Sequence, residues 1–169
     1  LIRSLIIDNE SNSVIIDIGA KTTGLNVIKG GLLQLTRNLN IGGDTITDRI
    51  AETLNVTSLR AEQFKKQFGV SETAFLPDSI KPVLNTIRNE VKQLLSIYRS
   101  HNVALNSIVM VGGGSQLPGI TDYFKELGIP AILGDPLKNL SYSPTAEPLL
   151  RRYGLQLPIA IGLALNEQK

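Results

Sequence analysis

Two stretches of the chain combine acidic or hydroxyl side chains with glycine in a way that suits phosphate chemistry. The first is Asp17-Ile18-Gly19-Ala20-Lys21-Thr22-Thr23. A carboxylate at a strand end can hold the water shell of Mg²⁺, and a glycine lets the backbone come close to an anion. Two hydroxyls and the N–H groups of the turn can then bond phosphate oxygens. An ordinary hairpin with polar turn residues has the same composition, so this stretch alone leaves both readings open. The second is Val109-Met110-Val111-Gly112-Gly113-Gly114-Ser115. An apolar strand runs there into three residues without side chains, leaving a flat shelf for a planar ring or a sugar phosphate near a helix N-terminus. A tight strand-to-helix turn explains the same residues without a ligand.

Better-known signatures fail on single residues. A phosphate loop would use Gly19 and Gly24, but Leu25 stands where its lysine belongs. The dinucleotide pattern would use Gly112 and Gly114, but Leu117 occupies the last glycine. The esterase elbow fails at the same leucine, with His101 as its only candidate base. The chain has 0 cysteines and 1 histidine, which excludes disulfides, thiolate metal sites, cysteine nucleophiles and histidine-rich zinc sites. Its 17 basic and 15 acidic side chains give a formal charge of +2, too little to announce nucleic acid or an anionic membrane as partner.

The glycine sites must be held by regular elements, and the pattern supplies them. Val14 to Ile18, Gly24 to Ile28 and Leu32 to Leu39 are expected to form an antiparallel strand meander with tight glycine turns. Ile46, Ile50, Ala51 and Leu54 fall on one helical face after Asp44. A second helix starts at Thr57 or Ser58, runs to Phe68 and stops at Gly69. From Ser79 to His101, apolar residues keep a three-four spacing from Ile80 to Tyr98, with Pro82 expected in the first turn. That stripe fits a core-facing helix; a coiled-coil seam is its other use. Ser107 to Val111 is expected as a buried strand, Pro118 to Leu127 as a short helix and Ala131 to Leu133 as a short strand. Gly134 to Gln156 is expected to be irregular, and Pro158 to Leu165 forms a final apolar helix. The longest apolar run, Leu157 to Leu165, is far short of the about twenty residues a membrane helix needs. No secretory signal is visible, so a cytoplasmic location is expected. Together these elements predict an α/β domain with a mixed sheet inside and helices outside.

The order and spacing of the two sites are more specific than either alone. Asp17-Ile18-Gly19-Ala20-Lys21-Thr22-Thr23, Asn40-Ile41-Gly42-Gly43-Asp44, Ala61-Glu62-Gln63-Phe64-Lys65-Lys66, Val111-Gly112-Gly113-Gly114-Ser115 and Pro158–Leu165 follow in sequence. This set resembles the second half of the actin-like ATPase superfamily. Within it, the chain is most similar to the type IV pilus assembly protein PilM family and its relative, the FtsA cell-division family. The resemblance implies a mixed, five-stranded-type sheet with flanking helices, residues 1–43 plus 104–169 as core and 44–103 as an inserted smaller lobe with the long helix.

It also implies roles. Asp17, Gly19, Thr22 and Thr23 would form a phosphate hairpin, with Asp17 holding Mg²⁺ through water and Lys21 beside them. Gly43, Glu62, Lys65 and Lys66 would approach ribose and adenine, and Gly112, Gly113, Gly114 and Ser115 would form the adenosine shelf. For Glu62 and the lysines, one solvated helix face is the plainer alternative. Asp8-Asn9-Glu10 lacks the glycine of a first hairpin, so the chain is expected to be a carboxy-terminal half, binding ATP weakly without its amino-terminal half. The resemblance implies a scaffold at the inner face of the bacterial inner membrane, holding the cytoplasmic tail of a PilN-like membrane protein. ATP would act as a conformational ligand with at most slow hydrolysis, with self-association, no nucleic acid and only indirect membrane contact. An FtsA-like filament protein is the alternative within the superfamily, and a sugar-kinase-type phosphotransferase is the alternative from another functional class. FtsA-like chains end in an amphipathic membrane helix, which the tail Asn166-Glu167-Gln168-Lys169 does not supply.

Overall fold

β-Branched runs and glycine turns build the sheet first. The computed structural model describes residues 2–5, 12–70, 77–138 and 140–165. The Asp8-Asn9-Glu10 stretch and the Asn166–Lys169 tail lie outside the described residues. Strand β1 (Ser13–Ile18) pairs antiparallel with β2 (Thr23–Lys29), and β2 with β3 (Leu32–Leu39). The β2–β3 turn is made by Gly30 and Gly31, both at positive φ (57° and 73°), as a tight two-residue hairpin requires. Strand β4 (Ser107–Val111) runs parallel to β1 on its other side, and β5 (Ala131–Leu133) parallel to β4. The sheet order is β3-β2-β1-β4-β5, a mixed five-stranded sheet as expected.

Helices follow as α1 (Ile2–Leu5), α2 (Gly43–Leu54), α3 (Ser58–Phe68), α4 (Pro77–Ser100), α5 (Ile120–Lys125), α6 (Glu147–Tyr153) and α7 (Pro158–Ala164). The stripe on α4 faces the core. Ile80, Leu84, Ile87, Val91 and Leu94 are fully buried in one cluster with Val14, Ile16 and Ile18 of β1. Ile46 and Ile50 of α2, Ala61 of α3 and Phe124 of α5 join the same cluster. Each such side chain contributes about 1.5–3 kcal/mol relative to exposure. The opposite sheet face is thinner among the described residues: Ile15, Ile28, Val109 and Val111 pack with Leu5 and Leu155 as partly buried apolar neighbours.

Two expectations are corrected. Helix α4 begins at Pro77, because proline suits a first helical position, so Pro82 falls in the second turn rather than the first. The stretch 134–156 is not irregular throughout: it carries α6 and the 3₁₀ turn Gly154–Gln156. Its helix is seven residues long, with Pro148 near its start, too short for apolar periodicity to reveal it.

Candidate functional site

Parallel pairing of β1 with β4 sets Asp17 opposite Val111. Both strands therefore end together, and Asp17-Ile18-Gly19 emerges beside Gly112–Gly114. The carboxyl ends of strands in open α/β sheets are where crevices form. Here a cavity of about 620 Å³ opens between these two turns, the start of α2 and one face of α3. Of the expected site residues, Asp17, Gly19, Gly43, Glu62, Lys65, Lys66, Gly112, Gly113 and Gly114 line it. Ala20, Asp44, Ile46, Gln116, Leu117 and Gln156 line it as well.

The three consecutive glycines have different reasons to be glycine. Gly112 sits at φ 84°, and a Cβ there would lie 2.4 Å from the Ile18 carbonyl oxygen and 2.5 Å from Asp17 Oδ1. A Cβ on Gly114 would lie 2.2 Å from Ile18 Cγ2. Both are required by the close approach of the turn to β1. Gly113 is not: the atoms nearest its Cβ would be those of the Gln156 side chain, at an ordinary 3.8–3.9 Å. The shelf is therefore open at Gly113 alone.

The hairpin after β1 is clamped by α2. The Gly43 N–H donates to the Gly19 carbonyl at 2.9 Å, and the Asp44 N–H to the Ala20 carbonyl at 2.8 Å. A Cβ on Gly42 would lie 2.4 Å from that same Ala20 oxygen, so only glycine permits the clamp. Ala20, Lys21 and Thr22 are exposed, and Lys21 and Thr22 lie outside the cavity lining. Thr23 is fully buried, and its hydroxyl donates to the Ile41 carbonyl at 2.7 Å. Buried Ser115 likewise donates to the Gly112 carbonyl at 2.7 Å. These two hydroxyls tie the turns in place, each with its proton given to a backbone carbonyl.

Asp17 is half-buried, because the pleat sends it to the thinly covered face with Ile15. Its carboxylate has no hydrogen-bond or ion-pair partner among the described residues, and burial raises its pKa above the ordinary value.

Glu62, Lys65 and Lys66 share a face of α3 and form a knot with α2. Lys65 Nζ lies 2.5 Å from Glu62 Oε2 and Lys66 Nζ 3.2 Å from Glu62 Oε1. Lys65 also donates to the Gly43 carbonyl at 3.0 Å and to Thr47 Oγ1 at 2.8 Å. The Thr47 proton is shared between the Gly43 carbonyl (3.0 Å) and Glu62 Oε2 (2.6 Å). Burial alone would raise the Glu62 pKa, but the bonds from Lys65, Thr47 and Lys66 outweigh it and pull it down to about 2. The carboxylate is held ionised and oriented at the cavity wall. Among the described residues, no group of three or more acidic, histidine or cysteine side chains could hold a metal ion by itself. No described helix is long and apolar enough to cross a membrane.

Comparison with known proteins places this arrangement. The family model described as type IV pilus assembly protein PilM matches residues 2–168. The chain belongs to the PilM family. It is 27% identical over 143 residues to the cell division protein FtsA of Streptococcus pneumoniae, covering 71% of this chain and 31% of that protein. It is 24% identical over 115 residues to the ethanolamine utilization protein EutJ of Escherichia coli, covering 68% and 38%. Among solved structures, a PilM–PilN type IV pilus biogenesis complex superposes with TM-score 0.81 at 27% identity, over 96% of this chain and 47% of that one. MreB5 of Spiroplasma citri bound to AMPPNP shares the fold, with TM-score 0.68 at 19% identity over 98% and 56%. The fold is that of the actin-like ATPases, and the chain spans about half the length of these structural relatives.

Among the residues that escape sequence reasoning are Thr47, which braces the cavity wall from behind, and Gln156, which lines the cavity. Thr47 stands one helical turn after Gly43, a spacing that could have drawn notice once Glu62 was paired with it. Gln156 lies in the stretch read as irregular, and no pattern points to it.

Proposed function

We propose that this chain is the nucleotide-binding half of a PilM-type scaffold, taking up Mg-ATP in the cavity between the β1–β2 hairpin and the glycine turn. The observation that carries this is convergence: nine expected residues from four separate segments line one cavity. The residues suit the ligand. Asp17 offers a carboxylate with no hydrogen-bond or ion-pair partner among the described residues, which fits a Mg²⁺ ion that keeps most of its waters and takes its other oxygens from phosphates. Gly113 leaves a side-chain-free place on the shelf, and the inserted lobe, residues 44–103, presents an ionised Glu62 and two lysines. Bound Mg²⁺ would supply charge neutralisation for the phosphates; Asp17 would orient its water shell.

The remaining roles belong to the complete gene product. In this reading, it is a cytoplasmic component at the inner face of the inner membrane, and it holds the short tail of a PilN-like protein. A PilM–PilN complex as structural neighbour supports that partner. ATP acts as a conformational ligand, stabilising one arrangement of two halves through differential affinity. The similarity to FtsA supports a filament-forming relative as the alternative. Alone, the chain meets phosphate from one side only, so affinity is expected at millimolar levels or below detection.

Calorimetric titration of the complete gene product with Mg-ATP tests the reading. Asp17→Ala should weaken binding by about tenfold or more, as expected for losing one charged anchor worth about 1.5–3 kcal/mol, with a melting temperature no lower than that of wild type. Unchanged affinity in that variant would refute the assignment of the hairpin.

A further inference from the structure

We propose that Gln156 reads the edge of the nucleotide base and makes the cavity selective for adenine; this deepens the nucleotide-binding reading above and rests on it. The backbone around Gln156 is tied to the glycine turn by one hydrogen bond and held by its own 3₁₀ turn, by β4 and by Leu137. The Gly112 N–H donates to the Leu155 carbonyl at 2.6 Å, and the Leu157 N–H to the Gly154 carbonyl at 3.0 Å. Leu155 packs with Val109 and Val111 on the thin face of the sheet. Gly154 is buried, and a Cβ there would lie 3.1 Å from Leu137 Cδ1.

The Gln156 side chain takes no part in this anchoring. It is exposed, lines the cavity and has no hydrogen-bond partner among the described residues. Its Cδ, Cγ and Nε2 are the three atoms nearest the empty Cβ position of Gly113, at 3.8–3.9 Å. A second amide, Gln116, lines the same cavity but is not among those nearest atoms. The one open place on the shelf thus has a free amide beside it, on a rigid mount, with no task in the fold.

An amide presents one acceptor next to one donor. The N6–H and N7 of adenine present the complementary pair, and a glutamine can bond both at once. Guanine offers two acceptors, O6 and N7, on that edge, which leaves the amide oxygen facing an acceptor. The other polar side chains lining the cavity, apart from Gln116, are charged: Asp17, Asp44, Glu62, Lys65 and Lys66. Those suit phosphate, ribose and metal rather than a neutral base edge.

The test measures dissociation constants of the complete gene product for Mg-ATP, Mg-GTP and Mg-tripolyphosphate, with wild type, Gln156→Ala and Gln156→Leu. Wild type should prefer ATP over GTP by about tenfold, the lower part of the range for one bidentate amide–base contact. Both variants should bring that ratio close to one and leave the tripolyphosphate constant unchanged. Circular dichroism melts should coincide, because the side chain has no partner to lose. An undiminished ATP-to-GTP ratio in the variants overturns the proposal. So does a parallel loss of tripolyphosphate binding, which would mark Gln156 as a support of the turn. A wild-type protein that binds tripolyphosphate but shows no gain from the base overturns the base-reading role alone. One that binds none of the three ligands removes the nucleotide reading, and this inference with it.

Discussion

Alanine at each of the three turn glycines should separate packing from ligand access. At Gly113 the new methyl would meet the Gln156 side chain at 3.8 Å, an ordinary contact, and the residue is not in the left-handed region. Removing a glycine there lowers the entropy of the unfolded chain, so Gly113→Ala should be neutral or more stable by about 0.4–1 kcal/mol. At Gly114 the methyl would lie 2.2 Å from Ile18 Cγ2 and 2.9 Å from its Cβ. Ile18 is fully buried in the main core, so it cannot swing out to solvent. Overpacking of this kind costs about 1–3 kcal/mol. At Gly112 the left-handed φ adds about 1–3 kcal/mol of strain to a backbone clash 2.4 Å from the Ile18 carbonyl. The expected order of stability is Gly113→Ala, then Gly114→Ala, then Gly112→Ala. For a domain of this size each kcal/mol shifts the melting temperature by about 2–4 °C, so calorimetry and urea unfolding resolve the series. The Gly113 variant alone should be a stable protein with weakened Mg-ATP binding, since its methyl stands on the open shelf. Equal destabilisation by Gly113→Ala and Gly114→Ala would show that the shelf is packed rather than open, and the argument for a ligand there would fall.

Burial raises the folded-state pKa of Asp17 above 3.8, so its protonated form stabilises the fold below that value and the benefit is lost as pH rises through the folded pKa. Asp17→Asn should therefore melt higher than wild type at pH 7, with the gain fading towards pH 3; an equal difference at both pH values contradicts the burial argument. Glu62 behaves oppositely: its contribution is present above 4.5 and lost as pH falls towards about 2. Glu62→Gln should cost about 1 kcal/mol at pH 7, allowing for solvent screening of a knot with exposed members, and nothing near pH 2. Urea unfolding at the two pH values reads the difference. Thr23→Val leaves the Ile41 carbonyl without its 2.7 Å donor and should cost about 1–3 kcal/mol while leaving Mg-ATP affinity unchanged in the complete gene product. A loss of affinity with unchanged stability would return Thr23 to the phosphate hairpin.

The chain itself determined most of the architecture. Period-two and β-branched runs located β1 to β4, a three-four stripe located α4, and glycines marked where the hairpins turn. Such signals are local, because neighbouring residues on one element share one environment. Residue types in order also carried the family and most of the residues that line the cavity. What the sequence could not decide is where individual hydroxyls and amides point. Thr22 and Thr23 are adjacent and alike, yet one is exposed at the turn and the other is spent on the Ile41 carbonyl. Gly112, Gly113 and Gly114 are identical in type, and only the approach of Ile18 distinguishes the two that packing demands from the one it does not. Thr47 braces Glu62 behind the cavity wall because α2 packs on α3, and Gln156 reaches the cavity because Leu155 is tied to Gly112. Hydrogen bonds and van der Waals exclusion act over a few ångströms between segments far apart in sequence. Only the folded chain sets those distances.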